Sequence, residues 1–185
     1  MRVLVLSDIH YPHTDTRVLI SIVKKEKPDK LILLGDIIND KGYDKKLFKL
    51  VERLVGDNYY FVKGDEDKVN YGLSKLTMEI NGVRFLFAHG HKLQMVGDEP
   101  VEYIAEKIKS INKNAPLLMY AIVARLRNIF FKGEIVLGHV HALRRFKRLR
   151  VTCAGTLTDL NNIYNEKGYV VIDTTGIHTV RLLKK

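Results

Sequence analysis

A chain of 185 residues, 46% hydrophobic and 28% charged, has the length of one domain with a real core and a composition that excludes intrinsic disorder. Its single cysteine, Cys153, excludes an intrachain disulfide, and the segment Met1 to Asp8 reaches an acidic residue too early for a signal peptide; a cytoplasmic protein is expected. The formal charge of +10 suits a protein that meets phosphates, nucleic acid or an anionic surface, but the excess is mostly scattered lysine.

Short apolar runs closed by Gly, Asp or His recur along the chain. Val3 to Leu6, Leu31 to Leu34 and Tyr59 to Val62 read as strands buried on both faces. Between them Val18, Leu19, Ile22 and Val23, then Leu47, Phe48, Val51, Leu54 and Val55, have the spacing of helices that pack one face on a sheet. This alternation predicts right-handed parallel crossovers. Leu76 to Ile80 and Val83 to Ala88 flank Asn81-Gly82, a tight hairpin turn, so the sheet becomes mixed there. Val101 to Lys113 and Leu117 to Phe131 predict a helical hairpin inserted over 98–132, with Pro116 suited to the first turn of the second helix. Arg125 and Arg127 break its apolar run well short of a membrane span, and no membrane partner is expected. After a strand at Glu134 to Leu137, the stretches near 143–146, 150–154, 169–173 and 178–182 predict a closing antiparallel meander. The fold class read from this order is α/β, a double β-sandwich of mixed sheets flanked by helices, with residues 1–185 as one domain.

An Asp or His stands at the carboxyl end of five of these strands: Asp8 and His10, Asp36, Asp65, His89, then His139 and His141. Ligands of open α/β sheets bind beyond the carboxyl strand ends, so these side chains can converge on one rim. Carboxylates with neutral imidazoles suit a borderline divalent metal rather than calcium. Seven such groups exceed the needs of one ion, and two ions about 3.5–4 Å apart that share a carboxylate clamp both oxygens of an in-line displacement at phosphorus. Each piece alone is unspecific. Gly138-His139-Val140-His141 is the strongest, because two histidines one residue apart after a buried strand have little structural reason to exist.

Through Asp8-Ile9-His10, Gly35-Asp36, Gly64-Asp65-Glu66-Asp67, His89-Gly90-His91 and Gly138-His139-Val140-His141 the sequence resembles the calcineurin-like metallophosphoesterases over nearly its whole length. Its compactness and Ala154-Gly155-Thr156 resemble the small prokaryotic phosphodiesterase branch, whose kin include the retromer scaffold subunit. The resemblance implies that Asp8, His10 and His141 hold one divalent metal, that Asp65, His89 and His139 hold the other, and that Asp36 bridges them beside a nucleophilic hydroxide. Manganese is the first choice of metal, with Ni, Fe, Co or Zn as others. The family has Asn in place of Asp65 and commonly His or Cys in place of Glu66. Asp65 makes the centre less cationic, which implies slower turnover or an alkaline optimum. Glu66 can stand in for the missing proton donor, or be an exposed loop glutamate. His91 faces the phosphate, supports a ligand or is a plain solvent-facing histidine, and Asp67 orients its neighbours. His13 and His178 are read as surface or structural residues.

The function expected is hydrolysis of phosphate esters, with diesters first. A catalytically weak scaffold that binds a partner protein is the alternative, and a nuclease using the basic cluster Arg144 to Arg150 comes after it. Tyr120, Ile122, Leu126, Ile129 and Phe130 offer more apolar surface than one sandwich face needs, which suits a homodimer through 98–132, a lid, or simple packing.

Overall fold

The computed structural model describes residues 1–93, 107–108, 110, 112, 114–160, 162 and 164–182. Among the described residues, ten strands form two five-stranded sheets packed face to face. In the first, β1 (Val3–Leu6), β2 (Lys30–Leu34) and β3 (Tyr59–Val62) run parallel, joined by α1 (Thr16–Glu26) and α2 (Asp44–Val55). The second contains β4 (Leu76–Ile80), β5 (Val83–Ala88), β6 (Glu134–Leu137), β7 (Leu143–Phe146) and β8 (Val151–Ala154). The hairpin β9 (Gly168–Asp173) and β10 (Gly176–Arg181) returns to the first sheet. The orders are β10-β9-β1-β2-β3 and β4-β5-β6-β8-β7.

The apolar runs are continuous because each strand is covered on both sides. Val3, Val5, Ile32, Leu34 and Val62 face Phe85, Phe87 and Val136 of the other sheet. The alternate residues Leu4, Leu6, Leu31 and Leu33 face Leu19, Ile22 and Val23 of α1 and Leu47, Phe48 and Val51 of α2. Fully burying each such side chain contributes about 1.5–3 kcal/mol. On the outer face of the second sheet, α3 (Ala115–Arg127) sets the small residues Ala121 and Ala124 against Leu86, Ile135 and Leu137, with Pro116 in its first turn.

The expected hairpin turn forms at Asn81 and Gly82, both at positive φ. The expected closing meander does not form as one unit. β8 pairs in parallel with β6 and antiparallel with β7, whereas β9 pairs with β1 in the other sheet. The reason is burial: Tyr169 to Ile172 are apolar on both faces and fill the edge of β1, where one side meets the helices and the other the second sheet. The first arm of the expected helical hairpin, Val101 to Lys113, lies outside the described residues apart from 107, 108, 110 and 112. In the second arm Tyr120 is partly buried, but Ile122, Leu126, Ile129 and Phe130 are exposed, Phe130 to 96%. No described helix is long and apolar enough to cross a membrane.

Candidate metal centre

The carboxyl ends of β1, β2 and β3 and those of β5 and β6 meet along one rim between the sheets. Backbone bonds fix the loops there: Asp8 N–H donates to Gly35 O at 3.0 Å, His10 N–H to Asp36 O at 2.9 Å, and Gly138 N–H to His89 O at 3.0 Å. The N–H of His139 points at the Asp8 carboxylate, 3.2 Å from both oxygens, and so ties the two sheets together. Two glycines make the close approach possible. A Cβ on Gly35 would lie 2.2 Å from His89 Nδ1, and one on Gly64 would lie 2.1 Å from Asp36 Oδ1.

Five of the seven side chains singled out in the sequence, Asp8, His10, Asp36, His139 and His141, sit on left-handed backbone with φ between 50° and 71°. Such a conformation costs a residue with a Cβ about 1–2 kcal/mol, although Asp and His tolerate it better than most. Its concentration at one rim means that the surrounding structure holds these side chains where local preference would not.

All seven converge. Ligand atoms of Asp36, Asp65, His89 and His139 lie within 4.8 Å of one another, as do those of Asp8, His10 and His141. A third group, His10, Asp36 and Glu66, meets the same limit, so Asp36 belongs to one set with His89 and to another with His10. His89 Nε2 is 3.0 Å from Asp36 Oδ2 and 3.2 Å from Asp65 Oδ1. His139 Nδ1 lies 3.6 Å from Asp65 Oδ1, and His141 Nε2 lies 3.3 Å from Asp8 Oδ1.

These donor atoms fit a cation on chemical grounds. His89 Nδ1 meets the Leu34 carbonyl at 3.2 Å, the tautomer-fixing contact of a ligand histidine, which turns Nε2 toward two carboxylates. Acceptors facing one another need a proton or a metal between them. Buried nitrogens of His10 (Nε2) and His141 (Nδ1) have no hydrogen-bond partner, a deficit costing about 1–3 kcal/mol each unless something binds there.

The charges respond accordingly. Burial opposes a charged His89, but Asp36 and Asp65 outweigh it and raise its pKa well above the ordinary imidazole value. Burial likewise works against ionised Asp65 and Asp8; their histidine neighbours win, and both carboxyls stay below the usual range. For His10, burial is outweighed by Glu66, Asp8 and Asp36, which raise its pKa.

The two less regular candidates differ. His91 lies outside the three ligand sets; its Nδ1 is 3.5 Å from Asp65 Oδ1, and burial lowers its pKa, so it is neutral near pH 7. The Glu66 carboxylate sits 3.2 Å from His10 Nδ1, and that contact lowers its pKa.

Supporting residues appear that the sequence reading passed over. The buried Ser7 hydroxyl lies against the Asp8 carboxylate and 2.8 Å from the Leu34 carbonyl. Asn39 Oδ1 is 3.5 Å from His10 Nδ1, and the Thr156 hydroxyl donates to Asp8 O at 2.9 Å. Small polar residues are too common for spacing to flag them. His13 is exposed near Asp40, and His178 pairs with Asp173 at the surface. The basic cluster turns away from the rim: β7 is antiparallel to β8, and Phe146 opposite Val151 puts Lys147 to Arg150 at the other end of the sheet.

The calcineurin-like phosphoesterase family model matches residues 1–148. No curated protein matches the chain. Among solved structures, it aligns with wild-type Vps29 of Entamoeba histolytica complexed with zinc at a TM-score of 0.60 and 17% identity, over 98% of each chain. The Escherichia coli phosphoesterase YfcE aligns at 0.56 and 18% identity, over 98% of this chain and 93% of YfcE. An archaeal phosphodiesterase aligns at 0.51 and 16% identity, over 98% of this chain and all of the other. At these identities the likeness to solved structures is one of fold.

Proposed function

Because the chain belongs to the calcineurin-like phosphoesterases, we propose that it hydrolyses phosphate esters, diesters first, with two divalent cations held by Asp8, His10 and His141 on one side and Asp65, His89 and His139 on the other. Asp36 is the shared ligand. The observation that carries this reading is that Asp36 falls in one donor set with Asp65, His89 and His139 and in another with His10 and Glu66, as a ligand shared by two ions close enough to act on one phosphate would. When bound, such ions supply the Lewis acidity that makes water nucleophilic near neutral pH and neutralises phosphate oxygens. Manganese is the first choice; the mixed carboxylate and imidazole set also suits Ni, Fe, Co or Zn.

The chain's own side chains orient the reaction. Asp36 and the Asp8 carboxylate are held by backbone N–H groups, of Glu66 and of His139 respectively, so the ligands are fixed before anything binds. Neutral His91 beside Asp65 is positioned to face a phosphate oxygen or to steady that carboxylate. The β8 to β10 segment lies beyond the matched residues yet completes both sheets, which supports residues 1–185 acting as one domain. A cytoplasmic site suits the one buried thiol, Cys153, whose pKa burial pushes up to about 12.

A partner-binding scaffold is the second reading. It draws on the fold likeness to Vps29 and on the exposed Leu126, Ile129 and Phe130; a homodimer through the same helix would cover them, and sedimentation distinguishes the two. A nuclease ranks lower, since the basic cluster points away from the rim. Metal analysis of the purified protein, combined with hydrolysis of an aryl phosphodiester in Mn, Ni, Co, Zn and Mg, tests the main reading. Turnover with two ions per chain supports it. Bound metal without turnover of any ester moves the assignment to the scaffold.

A further inference from the structure

We infer that Glu66 is the positioning residue of His10: its carboxylate accepts the Nδ1 proton of that ring and thereby leaves the buried Nε2 bare for a cation. The inference rests on the two-cation reading and adds to it a residue that the family pattern does not supply.

Two observations on one ring carry it. His10 Nδ1 has Glu66 Oε2 at 3.2 Å and Asn39 Oδ1 at 3.5 Å, so both groups facing it are acceptors. Its Nε2 is buried and has no partner at all. A neutral imidazole carries one proton, and a ring whose hydrogen-bonding acceptors are at Nδ1 keeps the proton there. The lone pair is then left on Nε2, the buried nitrogen without a hydrogen-bond partner. Carboxylate partners of this kind fix the tautomer and raise the basicity of a ligand histidine.

Glu66 is also tied to the shared carboxylate. Its backbone N–H donates to Asp36 Oδ1 at 3.0 Å, so the residue that aims His10 is anchored to the ligand both ions would use. Its side chain is 53% exposed. A contact so open to water adds little to folding; its value lies in the ring's orientation.

The test is titration of the metal-free protein with Mn²⁺, read by calorimetry and by loss of the free-ion electron paramagnetic resonance signal. Wild type is expected to take two ions. Glu66→Ala should weaken one site about 10–100-fold and leave the other unchanged. Glu66→Gln, whose amide oxygen still accepts the proton, should return to within about threefold of wild type. Nitrogen-15 spectra of His10 should show the Nδ1-protonated tautomer in wild type and the Gln variant, and a mixture in the Ala variant. Wild-type affinity in Glu66→Ala overturns the inference. So does a Gln variant as weak as the Ala variant, because the negative charge itself would then be what matters. Those results leave the two-cation reading standing, whereas a wild type that binds fewer than two ions removes both.

Discussion

The buried carboxylate of Asp67 accepts the backbone N–H of Asp36 at 2.9 Å, and with it those of Ile37, Ile38 and Gly64 at 2.7 Å each. One side chain therefore clamps the turn after β2 to the turn after β3, the two loops that present Asp36 and Asp65. Burial and the nearby Asp36 charge raise the Asp67 pKa, and the N–H groups of Gly64, Ile38 and Ile37 act against that rise. Asp67→Ala would strand these donors at about 1–3 kcal/mol each, enough to exhaust the stability of a typical domain. Asp67→Asn keeps one acceptor oxygen and is the informative variant. Its expected loss is about 2–4 kcal/mol in urea denaturation, together with fewer than two bound Mn²⁺ ions. Wild-type stability and stoichiometry in Asp67→Asn would show that the clamp is dispensable.

Arg125 plays a comparable part away from the rim. Its guanidinium, on α3, donates to four carbonyls, those of Leu149, Phe131, Gly133 and Arg150, at 2.6 to 3.0 Å. It thus joins the end of the helix to the strand ends of the second sheet. Arg125→Ala leaves the carbonyls unpaired and should cost about 2–4 kcal/mol, hydrogen bonds to charged groups being the stronger kind. At about 2–4 °C per kcal/mol for a chain of this size, Tm falls by roughly 5–15 °C. Metal stoichiometry in the folded variant should be unchanged, so a variant that keeps its Tm but loses metal would contradict this assignment.

The strands and the rim of converging Asp and His side chains were legible in the sequence because both have a periodic or positional signature: Leu31 to Leu34 reads as a run buried on both faces, and Asp36 stands at its end. Strand partners carried no such mark. Val151 to Ala154 and Tyr169 to Ile172 are equally apolar, yet β8 joins one sheet and β9 the other, because pairing is decided by which edges remain open after the core forms. The left-handed backbone of Asp8, His10, Asp36, His139 and His141 was hidden for a related reason: nothing in an Asp or a His announces positive φ as a glycine does. Glu66 stood open between a proton donor and an exposed loop glutamate, and only the coordinates bring it against His10.

The high pKa of His89 sets the proton balance of metal binding. Its folded value stands above that of an unfolded histidine, so the protonated ring stabilises the metal-free fold below about pH 6.5. That contribution is lost as pH rises through the folded value. A cation needs the bare Nε2 and must displace the proton held by Asp36 and Asp65. Mn²⁺ affinity should therefore increase with pH from about 6 upward, and calorimetric heats at pH 7 should vary with the ionisation enthalpy of the buffer. Equal heats in phosphate-free buffers of different ionisation enthalpy would mean that no proton leaves, and would remove His89 as a ligand.

Under the two-cation proposal Asp65 sets the charge of the centre. Two divalent ions offset by the carboxylates of Asp8, Asp36 and Asp65 would leave a formal surplus of one positive charge; with Asn in place of Asp65 the surplus would be two. The surplus is what lowers the pKa of water at such a site and attracts a phosphate anion. Geometry permits the exchange, since a single oxygen, Asp65 Oδ1, faces His89, His91 and His139 at 3.2 to 3.6 Å, and the amide oxygen of Asn can take the same place. Asp65→Asn is therefore expected to keep both ions, to move the rising, acidic limb of the pH-rate profile down by about one unit, and to bind inorganic phosphate more tightly. The measurement is kcat against pH on an aryl phosphodiester for both proteins with Mn²⁺ saturating. An optimum in Asp65→Asn that is unchanged or more alkaline would mean that the third carboxylate is not what limits the reactivity of the centre.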